Sequence, residues 1–354
     1  MFTLPPTLTV YRPSGAAPIA GVLMTLIMGV AAGVITGAVY AFAIFHSPLI
    51  YLNFLLTGAL LFALGLTVSY GIYLFRIRNT KVGVLISFIT FCVAYYVSWA
   101  VYIPTVLAHF GAGASSFDIP LISRSAALFA QSPWGMWYWI QSINYNGVWS
   151  ITNFGGGSRN AIPVSGIFLA IIWVIEAGII AFGTVALGSD QAFKPFSERQ
   201  GKWLEPKSLP GRIAFVENGD EMLNAFARGD FSVLTTRLTA TAPQQYGEMK
   251  SDAVEETEKD EKNEKNIEGN IIRYGSVTLY QDSFEPYVTV HNVTISGQQA
   301  SQTAQPKKKG IFKKILGWFW SSSKDEENTT IEAVVEYLRI SPTVAQNISN
   351  ALGV

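Results

Sequence analysis

Four uninterrupted apolar stretches dominate the first half of the chain, at roughly residues 19–45, 49–75, 82–107 and 163–187. Each is long enough, at about 1.5 Å per residue, to cross about 30 Å of hydrocarbon as a helix. The first resembles a signal peptide in carrying Ala41-Phe42-Ala43 near its end. Its apolar run is about twice the usual 7–15 residues, and only Arg12 precedes it as a basic residue. It is therefore read as a retained helix. From Gly188 onward the pattern changes to that of a small α+β domain. Segments 231–241, 271–280 and 287–296 are rich in Val, Thr, Ile and Tyr with partial alternation, which predicts strands. Asp220 is placed to cap a helix over 221–228 that Gly229 stops; another helix is predicted over 330–339, and a last one starts at Ser341-Pro342.

Two stretches carry no folding pattern of their own. Residues 248–268, the centre of a loop bounded at 247–269, hold nine acidic and four basic residues with almost nothing apolar, and are expected to stay disordered. A linker after residue 298 leads to a basic amphipathic helix, 307–320. On it Ile311, Phe312, Ile315, Leu316, Trp318 and Phe319 share one face, and Lys313 and Lys314 fall opposite. Together with Lys307, Lys308 and Lys309 they suit docking on an anionic leaflet, each lysine adding about 1 kcal/mol. The same helix would also suit the face of a sheet or a groove on a partner.

The predicted organisation is thus an N-terminal cytoplasmic segment (1–18), a four-helix transmembrane bundle (19–187) with an outer Trp-rich segment (108–162), a cytoplasmic α+β domain (188–298), and a linker, amphipathic helix and helical tail (299–354).

Composition sharpens this picture. Hydrophobic residues make up 49% of the chain and charged ones only 14%, against about 25% in soluble proteins. Residues 1–187 carry 6 of the 25 Lys/Arg and 2 of the 25 Asp/Glu, so a net charge of zero conceals a +4 half and a −4 half. A soluble single domain and a basic nucleic-acid binder are excluded, and Cys92 as the one cysteine excludes a disulfide scaffold. Orientation follows from the loops: Arg76, Arg78 and Lys81 fill the second connection, and Lys194, Arg199, Lys202 and Lys207 follow the fourth span. The first connection has no Lys or Arg, and the third has Arg124 and Arg159. Both termini are expected in the cytoplasm of a multi-pass plasma (inner) membrane protein.

Within the spans, Gly29, Gly33 and Gly37 repeat every four residues and leave one helix face without side chains. That face serves packing inside the bundle or assembly of a homo-oligomer. Glu176 is the acidic residue of the spans; it needs a proton or a partner, for which Asn53, Thr57 and Ser98 are candidates. It would act as a relay or as a neutral hydrogen-bonded group. His46 and His109 fall at outer helix ends, as interfacial caps or a metal or proton pair, without a ligand cluster around them. Trp134, Trp137, Trp139 and Trp149 form an outer aromatic group, either an interfacial helix or a platform for a sugar or lipid headgroup.

Residues 50–54 (Ile-Tyr-Leu-Asn-Phe), Arg78-Asn79 and 195–203 (Pro-Phe-Ser-Glu-Arg-Gln-Gly-Lys-Trp) resemble an uncharacterised family of bacterial multi-pass inner-membrane proteins with a cysteine-paired, zinc-knuckle-like cytosolic segment. Ser197 and Gln200 stand where the resemblance would put thiolates, with a weaker matching half-site near Gln281 and Phe284. The family supplies no activity. Ser and Gln are poor zinc ligands, so neither metal nor other cofactor is expected, and packing by Phe196 and Trp203 would have to hold the segment.

Three functions follow as expectations: a membrane-anchored interaction protein whose cytoplasmic domain recruits a protein partner at the inner leaflet; a small oligomeric transporter or channel using Glu176; and an envelope lipid or glycan enzyme at the outer face using His46, His109, Asp118 and Arg124. The first carries most weight because no catalytic motif is present.

Overall fold

The computed structural model describes residues 8–47, 50–110, 115–147, 149–151, 162–236, 272–281, 284–295 and 329–353. The charged loop 247–269 and the basic helix 307–320, with Lys307, Lys308, Lys309, Phe312, Lys313, Lys314 and Trp318, lie outside the described residues. Two compact units emerge, one from Pro13–Phe196 and one joining Met1–Arg12 to Ser197–Val354.

The first unit contains four helices long and apolar enough to cross a membrane. They are α1 (Ile19–His46), α2 (Ile50–Phe75), α3 (Thr80–Phe110) and α6 (Gly166–Asp190). Their limits lie within a few residues of those read from hydropathy, because a run of apolar side chains satisfies its backbone only as a helix when it leaves water. Helix α1 packs on α2 and α3, and both of these pack on α6.

The connection before α6 holds two further helices. Helix α4 (Ile119–Ala130) begins where the Asp118 side chain accepts from Leu121 N at 3.0 Å. Helix α5 (Pro133–Asn146) begins with Ser132 Oγ accepting from Gly135 N at 3.3 Å and proline in its first turn. A short antiparallel pair, β1 (Trp149–Ile151) and β2 (Ile162–Val164), closes this region. Strand β2 takes residues 162–164, so the fourth span starts three residues later than residue 163, where the sequence reading began it.

The second unit is a sheet. A hairpin of β3 (Phe196–Ser197) and β4 (Lys202–Trp203) leads to β5 (Pro206–Ile213), β6 (Ile272–Tyr280), β7 (Tyr287–Ile295) and β8 (Thr329–Arg339). The last four run antiparallel in that order. One face is covered by α7 (Gly219–Ala227), α8 (Ser232–Thr235) and α9 (Pro342–Ala351). Met222, Leu223, Phe226, Leu234 and Ile348 from these helices, with Leu352 just after α9, meet Leu209, Ile213, Val277, Leu279, Val288, Val290, Val335 and Leu338 from the sheet. Buried Asn292 donates to Val216 O at 2.7 Å and accepts from Val216 N at 3.0 Å, satisfying loop backbone groups that leave water with the core. The N-terminal segment is part of this unit: Tyr11 N donates to Tyr337 O and Arg339 N to Thr9 O, both at 2.9 Å, with Val10 bridging Leu338.

Two expectations are corrected. Residues 330–339 form strand β8, not a helix. The apolar residues Ile331, Val334, Val335 and Leu338 fall at helical spacing only because the strand is irregular. Its register against β7 shifts between Val288 and His291, and Tyr337 adopts φ 52°. A bulge of this kind breaks the alternation that reveals a strand. Likewise 231–241 does not begin as a strand: Asp230 accepts from Ser232 N at 3.0 Å, and the short α8 drives Leu234 into the core. These bonds to Ser232 also hold the Asp230 carboxyl below the usual carboxylate range.

Candidate functional site

The chemistry-bearing side chains of the first unit converge where α1, α2 and α6 meet. Tyr40 on α1 is buried with its hydroxyl hydrogen-bonded to Glu176 Oε1 on α6. The same hydroxyl lies 3.1 Å from Thr57 Oγ1 on α2, and Thr57 in turn donates to Asn53 O at 2.9 Å. Asn53 Oδ1 is buried without a hydrogen-bond partner among the described residues. Of the partners expected for Glu176, Thr57 is present one step removed and Asn53 lies beyond it. Ser98 instead donates to Tyr95 O at 2.7 Å. Tyr40 was missed from the sequence because a tyrosine in an apolar helix reads as an interfacial ring.

The glycine face of α1 is turned onto α3. A Cβ at Gly33 would lie 3.1 Å from Thr90 O and 3.3 Å from Ala94 N. One at Gly29 would strike Thr90 Oγ1, and one at Gly37 would strike Ala94 O. These three positions let the two backbones approach closely within one chain.

At the end of the bundle that carries α4 and α5, the ring of His46 is packed 4.2 Å from Phe42 and 4.3 Å from Phe117. Its Nδ1 engages Phe42 O at 2.8 Å and its Nε2 engages Ser116 Oγ at 3.2 Å. The ring of Phe45 stands 5.1 Å from His46 and 5.3 Å from His109. Asp118 is occupied as the α4 cap, and Arg124 is exposed. Among the described residues no group of three or more His, Cys, Asp or Glu is arranged to hold a metal ion. Of the tryptophans, Trp134 (85% exposed) and Trp137 face outward on α5, whereas Trp139 packs against the cluster of Ile103, Met136 and Ile143. Trp149 lies in β1.

In the second unit Ser197–Gly201 form a tight turn. Ser197 Oγ accepts from Gln200 N at 3.2 Å, Ser197 O accepts from Gly201 N at 2.8 Å, and Gly201 adopts φ 63°. The Arg199 guanidinium lies 5.1 Å from the ring of Phe284. On the sheet face away from the helices, Tyr280 and Tyr337 rings meet at 5.1 Å, and Tyr11 joins Tyr287 at 5.5 Å. Half-buried His291 on β7 is held below the usual imidazole value by desolvation, partly opposed by Glu336. Residues 329–333 of β8 are exposed, Ile331 at 64%, and no described strand pairs with their outer edge.

No family model, curated protein or solved structure matches the chain.

Proposed function

We propose that the protein is a membrane-anchored interaction protein whose second unit recruits a protein partner at the inner leaflet. The observation that carries this reading is the pairing of Thr9–Tyr11 with β8. Segments on either side of the four spans enter one sheet, so the chain joins this unit to the spans at two points. The edge at residues 329–333, which no described strand pairs, is a template that an extended partner segment can extend. The lysine-rich 307–320 segment supports anionic-lipid contact, and the basic loops after the second and fourth spans support cytoplasmic termini.

The test is in-cell crosslinking and co-purification from native membranes. The full chain is compared with one truncated after Leu187 and with Ile331→Lys, which alters an exposed edge residue. A partner held by the full chain, lost on truncation and depleted at least tenfold by Ile331→Lys is the expected result. Identical, partner-free profiles from full and truncated chains would overturn the reading. A second reading, a small oligomeric transporter, draws on Glu176 and on the buried Asn53 Oδ1, which has no hydrogen-bond partner among the described residues. Transport lost in Glu176→Gln, with the partner still bound, would favour it.

A further inference from the structure

The hydrogen bonds around Glu176 can be counted. Three contacts link four groups: Glu176 to Tyr40, Tyr40 to Thr57, and Thr57 to the Asn53 carbonyl. Each contact needs one hydrogen. The tyrosine and threonine hydroxyls carry one apiece, and a peptide carbonyl carries none. If Glu176 were a carboxylate, two hydrogens would have to serve three contacts, and one contact would fail. If Glu176 is a carboxylic acid, its own hydrogen supplies the third. The surroundings agree with this count. The titratable groups facing Glu176 are Tyr40 from α1 and Tyr95 and Tyr102 from α3. Helix α2 contributes Asn53 and Thr57, which do not titrate. Helix α5, also packed on α6, directs Asn144 Nδ2 to Gly166 O at 2.9 Å. No cationic side chain is among these groups, and an unpaired carboxylate in hydrocarbon is costly.

We propose that Glu176, Tyr40 and Thr57 form an intramembrane proton-binding site, in which the Glu176 acid donates to Tyr40, Tyr40 to Thr57, and Thr57 to the Asn53 carbonyl. The ligand is the proton. When it leaves for solvent, both hydroxyls reverse: Thr57 donates to Tyr40, and Tyr40 donates to the carboxylate. The Asn53 carbonyl keeps its own helical N–H partner, so the charged state forfeits one of the three contacts. Because the chain ties α1, α2 and α6 together, its two directions are two distinct ways of joining those helices. Asn53 sits three residues into α2, at the bundle end bearing His46 and Ser116, which makes that end the nearer route for exchange.

Infrared spectroscopy of the full chain, carrying carbon-13 glutamate and reconstituted in phosphatidylcholine vesicles at neutral pH, tests this. An isotope-shifted carboxylic C=O band that disappears in Glu176→Gln reports Glu176. The expected result is one such band in the native chain, absent in Glu176→Gln and displaced to higher frequency in Tyr40→Phe, where its acceptor is gone. Absence of any isotope-sensitive carboxylic band from the native chain at neutral pH would overturn the proposal, and that reading does not depend on either variant folding. A band unmoved by Tyr40→Phe in a folded variant would overturn the directed chain.

Discussion

The two units solve the packing problem in opposite ways. In the helical unit Leu61, Leu64, Ile72 and Ile180 are buried between helices, but many large apolar side chains point outward: Ile19, Ile27, Val39, Phe54, Ile167, Val174 and Phe182 are all exposed. Its closest backbone approaches are made by glycines, Gly29, Gly33 and Gly37 against Thr90 and Ala94. In the sheet unit the large residues point inward, and Phe284 and Ile331 are the exposed large apolar residues among those described. The contrast follows from the solvent each surface faces. Removing Leu from water yields about 25 cal/mol per Å², whereas moving it from lipid to protein yields almost nothing, so helices in hydrocarbon gain by fitting backbones together. The polar interiors differ too. Asn292 bridges loop backbone in the sheet unit, and Glu176 with its hydroxyl partners links helices in the other.

This contrast predicts that shortening a side chain injures one unit and lengthening one injures the other. The largest effect is expected from Leu338→Ala, which empties a fully buried position between β8 and the covering helices. It should cost the sheet unit about 2–5 kcal/mol. Hydrogen exchange of β6–β8 amides in detergent-solubilised protein should accelerate accordingly, with helical amides unchanged. Next comes Gly37→Val, whose added carbons meet the Ala94 carbonyl, a backbone group that cannot rotate away. A cost of about 1–3 kcal/mol is expected, read as a lower Tm of the helical unit with the sheet unit unaffected. Equal loss in both units from either variant would break the comparison.

The smallest effect concerns pH and should appear only in the sheet unit. His291 binds a proton less readily folded than unfolded, because half-burial disfavours the imidazolium. Stability is therefore full above the unfolded imidazole value of about 6.5 and declines as pH falls from there toward the lower folded value. Exchange of β7 amides followed across that window should show the decline, and His291→Gln should flatten it. A decline unchanged in His291→Gln would assign the effect elsewhere.

The readable and unreadable parts of the sequence divide along the same physical line. The four long helices were legible because hydrocarbon imposes a length and a composition that no soluble element shares. The Ser341 cap was legible because capping is local, and Ser341 Oγ does accept from Val344 N at 3.2 Å. At α7 the cap is Asn218, whose Oδ1 accepts from Asp220 N and Glu221 N, two residues before the residue favoured from sequence. Strand β5 went unread because Pro206, Pro210 and Gly211 break the pattern; an edge strand tolerates them. Strand β8 was misread because its irregular register places apolar residues at helical intervals. The three residues Thr9–Tyr11 are too few for any periodicity to show.

By itself the sequence determined the number and limits of the apolar helices, the change of character near residue 188, and the presence of one acidic residue in the spans. Those are properties of single segments and of their transfer between solvents. Only the tertiary structure decided that the N-terminal segment completes the later sheet, that the glycine face of α1 meets α3, and that Tyr40 rather than Asn53 or Ser98 bonds Glu176. Each of these depends on residues up to hundreds of positions apart meeting in space. Hydrophobic patterning fixes which face of an element is buried, but several partners can bury it, and side-chain shape and hydrogen-bond satisfaction choose among them.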